Sequence, residues 1–215
     1  MRILSLDTAC DLCTLVLSEN GASKAARSVQ AGRDQAKILA PLAEEFLQKQ
    51  KMQLSQIDRL AVCTGPGSFT GLRIGIAFMR GFSLAGKKPL FGFDHFACTE
   101  AALKRLNKLN APVLMIRSSK RAELFACITG QNTPLLGTPS QLNELLQKQP
   151  GLRFTGNGAA ELLAEFPALA ARHLPLEAEE IVFSAALLAQ EAPANTAPAQ
   201  PVYLREADVT LPRSA

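Results

Sequence analysis

The chain has 215 residues, of which 47% are hydrophobic, and a formal net charge of +4. That hydrophobic content is enough for a packed core and argues against a disordered chain, and so weak a positive charge permits contact with RNA without requiring it. The absence of Trp and the single tyrosine, Tyr203, argue against a surface on which bases stack. Five cysteines, without a signal peptide or an apolar run of membrane-spanning length, predict a cytoplasmic protein with free thiols and no membrane partner.

The first half of the chain predicts a strand hairpin, an amphipathic helix and a βαβ unit. Apolar runs separated by a turn-like segment indicate the hairpin, and apolar residues spaced three and four apart around Pro41 indicate the helix. The order strand, glycine-rich loop, helix, strand then indicates the βαβ unit. The predicted elements are strands over 2–6, 12–17 and 23–29, a helix over 34–50, a strand over 57–63, a glycine-rich loop over 65–71, a helix over 70–85 and a strand over 89–93.

The second half repeats the hairpin pattern. Two apolar runs are separated by the basic segment 117–121, which we interpret either as a contact for phosphate or as a solvated turn. The predicted elements are a helix over 95–109, strands over 112–117 and 122–129, helices over 140–149, 159–165 and 180–191, a Pro/Ala-rich connector over 192–201 and a strand over 202–204. A boundary near residue 110 then gives two α/β lobes, 1–110 and 111–215, and thus a duplicated architecture.

Asp7 and Thr8 follow the first predicted strand, where a carboxylate could hold phosphate-bound Mg²⁺. The alternative is an Asx turn that closes the hairpin. Gly65, Gly67 and Ser68 stand between a strand and a helix, so their backbone N–H groups could hold an anion. The glycine spacing departs from both the P-loop and the dinucleotide fingerprint, and the alternative is a tight turn followed by a threonine helix cap. These residues are therefore weak candidates for binding a nucleotide or phosphate.

No catalytic or metal-binding constellation is predicted. His95 and His173 lie far apart in the sequence, and the pair Cys10 and Cys13 precedes a strand and lacks a second pair of zinc ligands. No Ser-His-Asp or Cys-His motif appears. The sequence therefore predicts no catalytic residue, no metal and no cofactor of the chain's own.

The helix predicted over 70–85 is apolar on two opposite sides. One side carries Leu72, Ile76 and Met79, and the other carries small residues around Gly81 that permit close helix approach. A helix beside a sheet normally buries one side, so the second side predicts contact with another helix or another chain. The predicted partner surface draws on both helices of the first half and comprises Ile38, Leu42, Phe46, Leu72, Arg73, Ile76, Met79, Arg80 and Gly81.

The segment Gly-Pro-Gly-Ser-Phe-Thr-Gly-Leu-Arg-Ile-Gly at 65–75 resembles the signature of the TsaB (YeaZ) family. The resemblance extends to residues 3–9, 38–39, 155–159 and 201–205. It implies an actin/Hsp70-like (ASKHA) fold of two lobes, each a mixed sheet with flanking helices. It also implies a non-catalytic subunit that scaffolds or regulates the transferase TsaD. Together with the ATPase TsaE, these subunits would place threonylcarbamoyl on adenosine 37 of tRNAs that read codons beginning with A.

The resemblance implies partners and cofactors as well. We expect a heterodimer with TsaD, contact with TsaE, a homodimer when the chain is alone, and tRNA contact only through the complex. TsaD carries a metal on a His-x-x-x-His motif that this chain lacks, so ATP and metal are expected on TsaD and TsaE. Departures from the family pattern at 33–35 and 118–120 weaken any site carried over there. The alternatives are an ATP-binding kinase or ATPase of the same fold and an RNA-binding module.

Overall fold

The computed structural model describes residues 1–193 and 199–204. They form two mixed β-sheets with helices packed beside them. The predicted connector over 192–201 lies partly outside these residues, and Arg205 lies outside them altogether. Within the described ranges, no helix combines the length and the apolar character needed to cross a lipid bilayer.

The first sheet has five strands in the order β3-β2-β1-β4-β5. Its central strand β1 pairs antiparallel with β2 and parallel with β4, and all residues of β4 are buried. The strands are β1 (Arg2–Asp7), β2 (Leu12–Glu19), β3 (Ala22–Gln30), β4 (Arg59–Gly65) and β5 (Leu90–Asp94). The helices of this half are α1 (Gln35–Lys49), α2 (Phe69–Gly86) and α3 (His95–Arg105).

The second sheet has four strands in the order β8-β7-β6-β9 and repeats the topology of the first. Its strand β6 pairs antiparallel with β7 and parallel with β9, as β1 pairs with β2 and β4. The elements of this half are β6 (Val113–Ser118), β7 (Leu124–Ile128), β8 (Leu135–Gly137), α4 (Pro139–Lys148), β9 (Arg153–Thr155), α5 (Ala159–Glu165) and α6 (Ala178–Glu191). The repeated topology explains why the two hairpins look alike in the sequence.

Helix α6 packs with the first sheet although it follows the second in the chain. It lies against β1, β2 and β4 and against α3. Its residues Ile181, Val182 and Ala185 belong to the larger core. Arg59 of β4 donates to the carbonyl oxygen of Ala192 at 2.6 Å and so fixes the end of the helix. The predicted division at residue 110 therefore separates the two sheets, but the second predicted lobe also supplies a helix to the first.

Three predicted features of the secondary structure differ from the observed ones. Strands β8 and β9 are missing from the prediction, because three residues are too few to show an alternating pattern. The helix predicted over 95–109 ends at Arg105. The strand predicted over 202–204 is wrong, because these residues join neither sheet, although the N–H of Val202 donates to the carbonyl oxygen of Thr64 at 2.7 Å.

Candidate functional site

Asp7 ends β1 and is buried against the second sheet. Its carboxylate contacts Arg117 of β6, whose Nη2 lies 3.0 Å from one oxygen and 3.2 Å from the other. The N–H of Ala9 donates to the same carboxylate at 2.8 Å, which is the contact expected of an Asx turn. Arg117 is 0% and Asp7 4% exposed. Asp7 therefore closes its own hairpin and also pairs with a cation across the two sheets.

The basic segment 117–121 joins the two hairpins. Strand alternation places Arg117 on the face of β6 toward the first sheet, so it is buried and cannot contact a phosphate backbone. Lys120, in the turn that follows, forms an ion pair with Asp11 in the opposing hairpin. Both interpretations of this segment as a surface element, phosphate contact or solvated turn, are therefore corrected for Arg117.

His95 and Cys63 complete a buried cluster around Asp7 that was not predicted from the sequence. Nδ1 of His95 lies 3.2 Å from Oδ2 of Asp7. The carboxylate oxygen, the imidazole nitrogen and the Cys63 sulfur all lie within 4.8 Å of one another. The available signal was topological, because β1, β4 and β5 are parallel neighbours and their carboxyl ends meet at one edge.

The charges of this cluster follow from burial and from Arg117. Burial acts to raise the pKa of Asp7, but Arg117 and His95 outweigh it and hold that pKa well below its usual value. Burial lowers the pKa of His95, and Arg117 lowers it further, so the imidazole is neutral at pH 7. Burial raises the pKa of Cys63 well above its usual value, so the thiol keeps its proton.

The cluster offers oxygen, nitrogen and sulfur donors of the kind that suit a zinc ion. The guanidinium of Arg117, however, already neutralises Asp7 and stands where a cation would bind. The proposed role of Asp7 in holding phosphate-bound Mg²⁺ would require Arg117 to leave. Within the described part of the chain, Nε and Nη1 of Arg117 have no hydrogen-bond partner.

The glycine-rich loop packs against the turn between β1 and β2. A Cβ atom at Gly67 would overlap Ala9, and Cβ atoms at Gly71 and Gly75 would overlap Thr8. The hydroxyl of Thr8 donates to the carbonyl oxygen of Gly71 at 2.8 Å. Glycine is therefore needed at these positions so that the loop and α2 can pack closely against Thr8 and Ala9. The hydroxyl of Thr8 takes part in the same contact.

Ser68 and Gly65 are also engaged internally. The N–H of Ser68 donates to the carbonyl oxygen of Ala9 at 2.7 Å. Its hydroxyl accepts from the N–H of Gly71 at 3.2 Å, so Ser68, and not a threonine, caps α2. A Cβ atom at Gly65 would lie 2.6 Å from the carbonyl oxygen of Val202. The five predicted phosphate candidates thus lie near the turn after β1, and each contacts other residues of the same chain, namely Arg117, Ala9, Gly71 and Val202.

The predicted partner surface needs a correction for five of its residues. Leu42, Phe46, Leu72, Ile76 and Met79 are at most 6% exposed and lie in the larger core. They form the sides of α1 and α2 that pack toward the sheet. Side chains this deeply buried leave little surface for contact with a partner.

The remaining residues of the predicted surface lie on or near the outward face of α2. Arg73, Arg80 and Gly81 are exposed, and Ile38 of α1 is partly buried. Leu84 on the same face of α2 is 81% exposed. A Cβ atom added at Gly81 would meet nothing within 4 Å. The second apolar side of α2 is therefore the solvent-facing side.

A groove of about 440 Å³ lies between α1 and α2, beside this outward face. Its walls include Leu47 and Met52 and the rings of Phe78 and Phe82, which are tilted relative to each other with centroids 4.5 Å apart. Glu44 and two glutamines add the polar part of the lining. The groove can therefore receive apolar side chains from outside.

A second groove, of about 650 Å³, lies between α3 and the second sheet. Phe96, Met115, Cys127 and Leu188 supply its apolar lining, and Asp94 is among its polar residues. Its volume is in the range of small-molecule sites. None of the residues predicted to bind phosphate lines it.

Comparison with known proteins found a family model and relatives whose names refer to tRNA modification. The family model described as "TsaD: tRNA N6-adenosine threonylcarbamoyltransferase" matches residues 28–145, more than half of the chain. The "tRNA threonylcarbamoyladenosine biosynthesis protein TsaB" of Escherichia coli (strain K12) is 36% identical over 92 residues, which are 43% of this chain and 39% of that protein. The protein of the same name from Haemophilus influenzae is 26% identical over 150 residues, 69% of this chain and 63% of that protein. The chain thus spans less than two thirds of the length of either relative.

The solved structure "YeaZ from Pseudomonas aeruginosa" superposes with a TM-score of 0.69 at 21% identity, covering 94% of this chain and 99% of that chain. At this identity the likeness concerns the fold alone. Together with the repeated sheet topology, it confirms the predicted actin/Hsp70-like α/β fold of two lobes. The chain therefore belongs to the TsaD family, and within that family it is a homologue of the TsaB (YeaZ) proteins.

Proposed function

We propose that the chain is a non-catalytic subunit in the synthesis of threonylcarbamoyladenosine in tRNA. It acts by binding a TsaD-type transferase, and it works with a TsaE-type ATPase. The observation that carries this proposal is the exposed outward face of α2 with the apolar groove beside it. The names of its relatives support the same pathway.

The composition of the outward face supports a helical partner. Leu84 is largely exposed, and the small residues Ala77, Gly81 and Ala85 are exposed along the same helix. Small residues allow a second helix to approach closely. A continuous exposed apolar surface is typical of an interaction site. We propose that α1 and α2 meet two helices of the partner in a four-helix bundle.

The same face is proposed to close a two-fold homodimer when the transferase is absent, because an isologous interface uses one patch on both copies. Homodimer and heterodimer then compete for a single surface. Contact with tRNA runs through the complex, and the tRNA substrate implies a cytoplasmic location.

Arg117 supports the non-catalytic part of the proposal. It neutralises Asp7, the carboxylate best placed to hold a metal-bound phosphate. The glycine-rich loop is filled by Thr8 and Ala9 of the same chain. We therefore assign ATP and the metal ion to the partner subunits, and no cofactor to this chain.

Reconstitution with purified proteins tests the proposal. Modified nucleoside in tRNA is measured by mass spectrometry after incubation with threonylcarbamoyl-adenylate. We expect no product with the chain alone and full product when it is combined with the TsaD-type and TsaE-type subunits. Product formed by the chain in the absence of the transferase would contradict a non-catalytic role. Equal product with and without the chain would contradict a subunit role.

The rival function is an ATP-binding enzyme of the same fold, and the groove beside α3 is the observation that favours it. Calorimetric titration of the isolated chain with Mg-ATP separates the two functions, since tight binding supports the rival. Asp7→Asn removes the counter-charge of Arg117 and should destabilise the chain, but we expect the variant that still folds to leave the activity of the assembled complex in place. Loss of that activity in a variant that still folds and binds its partner would assign Asp7 a role in chemistry or nucleotide binding.

A further inference from the structure

Two segments that carry the family resemblance meet at the surface beside α2. The ring of Tyr203 lies against that of Phe69, with centroids 4.7 Å apart, and its hydroxyl accepts a hydrogen bond from Nε of Arg73 at 3.0 Å. The guanidinium carbon of Arg73 lies 3.7 Å from the centre of the Phe69 ring. We call Phe69, Arg73 and Tyr203 the aromatic-arginine cluster.

Specific backbone contacts hold Tyr203 in this cluster. The N–H of Val202 donates to the end of β4 at 2.7 Å. Ala199 is 4% exposed, and its carbonyl oxygen accepts from Nη2 of Arg80 at 2.7 Å. Glycine is required at Gly65, because a side chain there would overlap the carbonyl oxygen of Val202. Contacts with the first sheet and α2 therefore fix the position of this segment.

The side chains at the end of this segment are exposed. Val202 is 48%, Tyr203 39% and Leu204 37% exposed, so three large side chains in a row face solvent. They adjoin the outward face of α2 through Arg73. Tyrosine and arginine in an apolar setting are the residues that most often dominate the binding energy of protein interfaces.

The charges of α2 indicate the chemistry of the partner. The helix contains no acidic residue, and its two charged residues, Arg73 and Arg80, are exposed. In the described ranges the terminal nitrogens of Arg73 have no hydrogen-bond partner. Their forked geometry suits a carboxylate. Packing α2 against α2 of a second copy brings like charges together, so the proposed homodimer should be weaker than a complex with a partner that presents a carboxylate here.

A nucleobase is the less suitable occupant. Base recognition by stacking needs an open aromatic face. One face of Phe69 is used by the guanidinium of Arg73, and its ring also packs on Tyr203. Phe69 therefore offers little free surface for a base, whereas the terminal nitrogens of Arg73 remain open to a carboxylate.

We propose that the aromatic-arginine cluster anchors one end of the partner-binding face and receives a carboxylate-bearing helix of the protein partner. The inference rests on the proposed function, and it adds residues 202–204 and the charge of the partner to it. A partner helix laid along α2 passes the small residues Ala77 and Gly81 and presents an Asp or Glu side chain to Arg73.

The test measures the affinity of the full chain for the TsaD-type transferase by calorimetry. Arg73→Ala and Tyr203→Ala should each weaken binding by at least about tenfold, and the double variant should weaken it by less than the product of the two effects. Arg73→Glu should weaken it more than Arg73→Ala, because it opposes a carboxylate with a carboxylate. Arg153→Ala, which removes an exposed positive charge from the second sheet, is the matched control and should bind normally. Circular dichroism confirms that each variant is folded.

The possible outcomes separate this inference from the proposed function. If both alanine variants bind normally while Gly81→Arg abolishes binding, the cluster is not an anchor and the proposed function stands. If Gly81→Arg also binds normally, the outward face of α2 is not the interface and both proposals fail. If the alanine variants keep the partner but lose affinity for tRNA in a parallel titration, the cluster is an RNA contact. Equal losses of affinity in Arg73→Glu and Arg73→Ala would contradict the proposal that the partner presents a carboxylate to Arg73.

Discussion

Arg117 and Asp7 place opposite charges between the two sheets, where neither residue is more than 4% exposed. Either charge, buried without the other, would destabilise the fold. The pair is tolerated because Nη2 of Arg117 contacts both carboxylate oxygens. Removing one partner should therefore cost more stability than removing both.

We predict that Arg117→Met destabilises the chain by roughly 3–5 kcal/mol, because it leaves the carboxylate of Asp7 buried without its counter-charge. The double variant Asp7→Asn, Arg117→Met should lose less, since neither charge remains. Urea unfolding followed by circular dichroism measures both. Equal losses in the single and double variants would show that the charge pair is not what makes Arg117 necessary.

His95 gives the fold a dependence on pH. Burial and Arg117 lower its pKa below that of an exposed histidine, so the unfolded chain takes up a proton at His95 that the folded chain does not. Stability should consequently fall as the pH drops below about 6.5, by at most about 1.4 kcal/mol per pH unit for this residue. We expect His95→Gln to flatten the urea midpoint between about pH 7 and 5. His173 also has a lowered pKa, but it is present in both proteins. An unchanged pH profile would contradict this assignment.

Helix α2 is built with two different sides. Gly71 and Gly75 face the turn after β1 so closely that a side chain would overlap Thr8, whereas Gly81 on the opposite side faces open space. One helix thus supplies both a packing contact and a surface. Glycine at Gly71 and Gly75 permits the close packing contact, whereas Gly81 lies on the exposed surface.

This difference gives a matched prediction within one helix. Gly71→Ala should destabilise the chain by about 1–3 kcal/mol, because the new methyl group overlaps the carbonyl oxygen of Thr8. Gly81→Ala should stabilise it by up to about 1 kcal/mol, because alanine favours the helix and meets no neighbour. Thermal unfolding of the two variants measures the contrast. Similar effects at the two positions would show that the close contact at Thr8 is not rigid.

The local sequence pattern predicted the elements that are long enough to show a regular spacing of apolar residues. The strands β1 and β2 and the helix α2 were predicted because their apolar spacing is long and regular. The three-residue strands β8 and β9 leave no such pattern. The side of α2 that faces outward was not predicted, because both sides are apolar and only the position of the sheet distinguishes them.

The candidate site was harder to predict than the fold. Asp7 was identified from its position after a strand, but Arg117 was interpreted as part of a surface turn. The contact between them depends on how the two sheets pack, which no local pattern encodes. His95 and Cys63 join Asp7 only because three parallel strands end at one edge.

The whole molecule is a duplicated two-lobe fold in which the usual edge for phosphate chemistry is filled by its own side chains. The outward face of α2, with its groove and the aromatic-arginine cluster, remains accessible, as does the groove beside α3. The exposed face of α2 supports the proposal that the molecule is a subunit that works through an interface. Ile76→Glu cannot test that interface, because Ile76 is 3% exposed and a charge there would disrupt the core.

Gly81→Arg provides the most direct test of the central claim, with Gly81→Ala as its control at the same position. Light scattering after size-exclusion chromatography measures association of each variant, alone and with the TsaD-type transferase. A charged side chain in a closely packed helical contact costs several kcal/mol, which is enough to dissociate a complex of about micromolar affinity. We predict that Gly81→Arg elutes as a folded monomer that does not bind the transferase, while Gly81→Ala binds as the unmodified chain does. Binding of folded Gly81→Arg with unchanged affinity would contradict the account.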